Sequence, residues 1–190
     1  HVRSPKTTRQ IMARVAIALL PSAIMGIVYF GLTAAIILAL SVLSAVASEY
    51  IYLLICKKPL KEINRQFDFS SVVTGLLIGM CIGTNYPVYT PIFGSAFAII
   101  VVKMLFGGTG KNLVNPAITA RVFMLIAFGS LATSATPEDV DAVSSATPLS
   151  SIANGEIPEL MDLFLGNTGG AIGETCKVAL LIGGAYLLIR

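Results

Sequence analysis

Charge is what this 190-residue chain has least of. Asp, Glu, Lys and Arg make up 12% of it and apolar residues 55%, whereas soluble domains carry roughly 25% charged residues. An ordinary water-soluble domain is excluded. Histidine occurs once, at His1, which argues against a histidine metal cluster or a Ser-His-Asp site within the chain. The three cysteines, Cys56, Cys81 and Cys176, are far apart in apolar segments and form no C-x-x-C spacing, so they read as buried free thiols. Basic residues are too few, and too tied to the flanks of apolar runs, for nucleic-acid binding. No small-residue cleavage site follows the first apolar run, so no cleavable signal peptide is expected. The most local absence lies between Leu131 and Gly170: six acids (Glu138, Asp139, Asp141, Glu156, Glu159, Asp162) and not one Lys or Arg.

What fills the chain instead is hydrophobic runs of about 20 residues, the length a helix needs to cross hydrocarbon. The expected architecture is an all-α integral membrane protein, a single membrane domain of about six transmembrane helices forming part of a larger helical bundle. The spans are read at 11–30 (with Pro21 as a kink), 32–56, 69–83, 88–106, 116–131 and 170–189. With a cytoplasmic N-terminus, twelve of the thirteen basic residues fall on or near the cytoplasmic side, Lys177 being the exception. The positive-inside rule therefore places the acidic 131–170 loop on the outer face.

The third span is short and rich in Ser, Thr and Gly. It reads either as a discontinuous helix lining a polar route or as a tilted helix whose Ser70, Ser71 and Thr74 bond back to their own carbonyls. Glu49 lies about two turns inside the second span, where an acid is costly unless paired or wetted. It marks a cation route or pairs with Arg14, the simpler idea.

Gly107-Gly-Thr-Gly-Lys-Asn-Leu-Val-Asn-Pro-Ala117 joins the fourth and fifth spans. It is not a Walker A loop, since Leu105 holds the leading glycine position and Asn112 stands where Ser or Thr is required. It runs into a helix expected to start at Asn115-Pro116, with Asn as cap and Pro in the first turn. Such a start can receive an anion or a polar ring edge; the other reading is a tight turn needing glycines only for packing.

Asp141, Ser144, Ser145 and Thr147 look like a nucleophilic set, but no His or Lys stands beside them as base. A threonine hydroxyl is a poor nucleophile without one, so Thr147 reads as a substrate to which another enzyme attaches a group. Small Ala146 allows close approach, and Pro148 keeps the following chain extended.

Asp141-Ala-Val-Ser-Ser-Ala-Thr-Pro-Leu149 resembles the flavinylation motif Asp-x-x-Ser/Thr-Gly/Ser-Ala-Thr, with Ser145 where glycine is commoner. Three further blocks, His1–Met12, Lys103–Ala117 and Gly169–Thr175, are similar to the D subunit of the Rnf electron-transport complex and to its relative, the B subunit of the sodium-pumping NADH:quinone reductase. The resemblance implies FMN joined to the Thr147 oxygen as a phosphoester by a flavin transferase. It also implies a second, noncovalent riboflavin in some members. The complex would pass electrons from ferredoxin to NAD and move Na+ or H+ across a bacterial inner membrane. Asp141, Ser144 and Ala146 are then expected beside the attachment point. Backbone N–H groups around Gly169–Gly170 and Gly173, oriented by Glu174, are expected to receive the phosphate. Gly108, Asn112 and Asn115 are expected to wall the riboflavin site. The partners implied are other membrane and peripheral subunits, the transferase and lipid. Family members are longer, with about ten spans, so this chain corresponds to an N-terminal portion. The quinone-reductase member usually has an added N-terminal stretch not seen here. A transporter or channel without redox chemistry is the rival of another class.

Overall fold

The computed structural model describes residues 7–129, 164–166, 170–174 and 176–189, and helix is the repeating structure among them. The motif residues Asp141, Ser144, Ala146 and Thr147, and most of the 131–170 loop, lie outside the described residues.

Helix α1 (Thr8–Ile55) opens on a capping box: Thr7 Oγ1 accepts from Gln10 N at 3.4 Å and Gln10 Oε1 from Thr7 N at 3.2 Å. This satisfies two of the donors that a helix start leaves open. The helix is two arms in one run. Pro21 stays within it, and the non-helical residue is Gly31 (φ 64°, ψ −155°), a backbone conformation closed to a side chain with a Cβ. Each arm is about 35 Å long at ~1.5 Å per residue, enough to cross a bilayer core of about 30 Å. The expected boundary between spans one and two falls on that glycine.

Helix α2 (Leu60–Gln66) occupies the basic connection and was not anticipated as helix. Then come α3 (Ser70–Met80), α4 (Thr90–Phe97), a π-helical continuation of α4 (Ala98–Met104), α5 (Pro116–Ala127) and α6 (Lys177–Ile189). Helix α3 has 11 residues and is about 16 Å long, half a bilayer core. The expectation of helix from residue 170 onward is corrected. Gly170–Glu174 docks on the end of α3 instead, with Ile172 N donating to Ile82 O (3.2 Å) and Gly173 N to Met80 O (2.8 Å). Helix α6 begins only at Lys177.

Small residues bring the helices together. A Cβ on Gly75 would sit 2.7 Å from Val42 Cα, and one on Gly183 would strike the Ala18 carbonyl. Buried Ser41 Oγ donates to Gly75 O (2.7 Å) and lies 3.0 Å from Ser95 Oγ, tying α1, α3 and α4. Between apolar helices in hydrocarbon, such close packing and cross-helix hydrogen bonds supply the attraction. Residues from both arms of α1 (Ala23, Phe30, Ile37, Leu38) share one cluster with Met80 and Ile172.

Candidate functional site

Four elements converge on Lys103. It sits in the π-helical turn, where Leu105 N reaches back five residues to Ile100 O (3.1 Å). The wider turn is a feature often found at functional sites. Its ammonium is 2% exposed and donates to Glu49 Oε1 on α1 (2.8 Å) and to Ser71 Oγ on α3 (3.1 Å). Asp68 Oδ1, just before α3, is 4.0 Å away. Glu49 therefore has Lys103 as an ion-pair partner, and Lys103 belongs to the core rather than to a cytoplasmic loop. Among the described residues, buried Glu49 Oε2 finds no hydrogen-bond partner.

Asp68 is held by Ser70, whose N and Oγ donate to Oδ1 at 3.0 and 2.6 Å; Ser70 Oγ lies 3.0 Å from Thr109 Oγ1. Burial pushes the Asp68 carboxyl up. The hydrogen bonds from Ser70 and Thr109 and the charge of Lys103 outweigh it, so its pKa lies below the ordinary 3.8. The two readings of the short third span thus divide by residue. Thr74 Oγ1 does bond back to Ser70 O (2.9 Å), while Ser70 and Ser71 turn to Asp68 and Lys103.

Beside this cluster is a cavity of about 470 Å³, lined by Met12, Ser70, Thr74, Lys103, Thr109 and Asn112 among others. The glycine loop builds one wall. Gly108 and Gly110 take φ of +90° and +85° with open space around them, so backbone conformation is what demands glycine there. Asn112, with its amide nitrogen toward them, donates to Gly108 O (3.1 Å) and Lys103 O (3.2 Å), and so fixes the loop to the Lys103 turn. Asn115 Oδ1 accepts from Ala117 N (3.0 Å) and Ile118 N (3.5 Å), capping α5 as its Asn-Pro start implies. Of the expected wall residues, Asn112 and Asn115 line the cavity; Gly108 shapes the loop behind it.

At the far end of α3 the other expected residues are placed differently. The Gly173 N–H is taken by Met80 O, so it does not await a phosphate. Its carbonyl accepts from buried Ser22 Oγ (2.9 Å). Glu174 pairs with Arg121 on α5 at 3.2 Å, both partly exposed. Sequence reasoning missed Lys103, Asp68 and Arg121 as site residues. A lone cation inside the apolar run Ile99–Leu105 was the signal for the first.

The NQR2, RnfD, RnfE family model matches residues 1–190. The chain belongs to this family. It is 41% identical over 196 residues to the D subunit of the Na+-translocating ferredoxin:NAD+ oxidoreductase complex of Acetobacterium woodii, covering 100% of this chain and 60% of that relative. It is 32% identical over 204 residues to the D subunit of the proton-translocating ferredoxin:NAD+ oxidoreductase complex of Clostridium ljungdahlii, with the same coverage. The B subunit of the Na+-translocating NADH-quinone reductase of Ectopseudomonas mendocina is 36% identical over 136 residues, 67% of this chain and 33% of that relative. The chain thus spans about 60% of the length of the D subunits it matches.

Proposed function

We propose that this chain is the N-terminal portion of a flavin-carrying D subunit in an ion-translocating ferredoxin:NAD oxidoreductase of a bacterial inner membrane. The observation that carries the reading is the 41% identity, spanning the whole chain, to a relative named for that activity. The B subunit of the quinone reductase aligns with only two thirds of it. Thr147 is the attachment point for FMN through a phosphoester, set in the Asp141–Thr147 motif with Asp141, Ser144 and Ala146 beside it. Flavin would supply one- and two-electron transfer, while the protein supplies position and electrostatics. The N-terminus lies inside and the acidic loop outside, supported by the basic residues of the α2 connection. The remaining membrane and peripheral subunits, a flavin transferase and lipid are the partners.

The cavity beside Lys103 suits a second, noncovalent flavin such as riboflavin. Its volume of about 470 Å³ is that of a small-molecule site, and the hydroxyls of Ser70, Thr74 and Thr109 with the Asn112 amide offer polar contacts to a ring edge. Lys103 there places positive charge against the wall.

The test is a denaturing gel under ultraviolet light, using the full-length protein made in cells that contain the transferase. A fluorescent band that disappears in Thr147→Ala supports covalent attachment. A dark wild-type band overturns it.

A further inference from the structure

Helix α2 and the turn before it hold four cations, Lys57, Lys58, Lys61 and Arg65, against one acid, Glu62. The segment is pinned to the bundle. Ile63 is fully buried in a cluster with Leu53 and Ile99, and Tyr50 Oη donates to Asn64 Oδ1 at 2.9 Å. With Ile63 inward and about 100° of turn per residue, Lys61 and Arg65 fall together on the opposite, outward face. Glu62 is engaged on the flank, where Gln66 Nε2 donates to it and Lys58 Nζ donates to Gln66, both at 2.9 Å. Among the described residues, Lys57, Lys61 and Arg65 form no ion pair. These uncompensated cations stand beside bare aliphatic side chains: Ile55 is 75% exposed and Leu60 61%. Ile51 and Leu54, also exposed, share a face of the arm with Ile55 and continue the apolar strip along it. The patch thus lies at the end of an arm long enough to cross the bilayer core, where headgroups begin.

We propose that this patch binds the headgroups of anionic phospholipids in the leaflet that holds α2. Ile55 and Leu60 enter the boundary of the acyl chains, while Lys57, Lys61 and Arg65 reach the phosphates on their long stems. A basic cluster directly following a membrane-spanning helix is suited to such lipids. The strip from Ile51 to Ile55 runs on toward hydrocarbon, so lipid fits the whole surface better than a peripheral protein does. The proposal rests on the membrane location of the chain; it is independent of the flavin and of which side α2 occupies.

The experiment follows the thermal midpoint of the full-length protein in neutral detergent as phosphatidylglycerol is added. A ligand of the folded state raises the midpoint in a saturating way. Wild type should show that rise with phosphatidylglycerol, and not with phosphatidylcholine or inorganic phosphate. Each Lys or Arg near an anionic surface is worth about fivefold in affinity, so Lys61→Gln/Arg65→Gln should need roughly 25-fold more phosphatidylglycerol. Both side chains are exposed, so the lipid-free midpoint should stay where it is. Lys61→Arg should keep the wild-type response, and so should the remote Lys177→Gln. An equal rise with phosphatidylcholine or inorganic phosphate overturns the proposal, as does an unchanged half-saturation in the double variant. A loss of equal size in Lys177→Gln would trace the effect to net charge and overturn it too. If the double variant keeps the lipid response but loses co-purifying subunits of the complex, the face belongs to a protein partner and the proposal fails. Flavin fluorescence from the same samples reads the covalent attachment separately.

Discussion

Lys103 Nζ donates to Glu49 Oε1 across 2.8 Å, joining residues 54 positions apart in sequence inside the bundle. Removing one member of a buried pair leaves the other uncompensated and costs about 3–5 kcal/mol, whereas replacing both by apolar residues is often close to neutral. Lys103→Met is therefore expected to lower the thermal midpoint sharply. The double variant Glu49→Leu/Lys103→Met should recover most of the loss. A double-mutant cycle on the thermal midpoint reads the coupling, and simple additivity would show that the pair does not act as a unit.

Asp68 gives the cluster a pH signature. Its pKa lies below 3.8 in the folded protein, so the ionised form is favoured by folding. Its contribution to stability is fully present above pH 3.8 and is lost as pH falls through the depressed folded value. Midpoints measured downward from about pH 5 should fall more steeply in wild type than in Asp68→Asn. Parallel curves would remove Asp68 from the account.

Local chemistry was legible in the sequence, and cross-chain pairing was not. Asn115-Pro116 announces the start of α5 because a cap and its proline act within one turn, and the structure places the helix there. Gly31 likewise falls at the expected boundary between two apolar runs. Glu49 could be recognised as an intramembrane acid in need of a partner, but its partner depends on how α1 crosses α4 and on a π-helical turn that shifts which side chains share a face. Hydropathy also sees only an apolar stretch from residue 170, whereas Gly170–Glu174 is kept from helix by backbone bonds to Met80 and Ile82. Those bonds exist only once α3 has formed and ended. The proposed flavin attachment at Thr147 rests on its motif and family resemblance, since that residue lies outside the described structure.

Gly183 and Gly184 offer a matched pair on α6. A Cβ on Gly183 meets the Ala18 carbonyl, while one on Gly184 has nothing within 4 Å. Gly183→Val should force α6 off the first arm of α1 and destabilise by about 1–3 kcal/mol, as overpacking does. Gly184→Ala should be neutral or slightly stabilising, since alanine is the better helix former. Equal effects of the two on the thermal midpoint would mean that α6 does not pack on α1 through Gly183.

The orientation rests on basic residues that the structure partly reassigns. Lys103 is committed to Glu49, so it no longer counts as a loop charge, and the weight falls on Lys57, Lys58, Lys61 and Arg65 around α2. By the positive-inside rule these four, which follow the second arm of α1, would retain its end on the cytoplasmic side. The acidic loop, separated from them by an odd number of expected spans, would then face out. Single cysteines at Lys61 and Ser150, in a chain with Cys56, Cys81 and Cys176 replaced by alanine, make this measurable with a membrane-impermeant maleimide. Ser150→Cys should label in intact spheroplasts and Lys61→Cys only in inverted vesicles. The reverse pattern would put Thr147 on the cytoplasmic side, and with it any flavin it carries. Labelling of both from one side would mean an even number of crossings between α2 and the acidic loop, and would make one of α3, α4 and α5 re-entrant. Helix α3 is the first candidate, because its 11 residues are too short to cross alone.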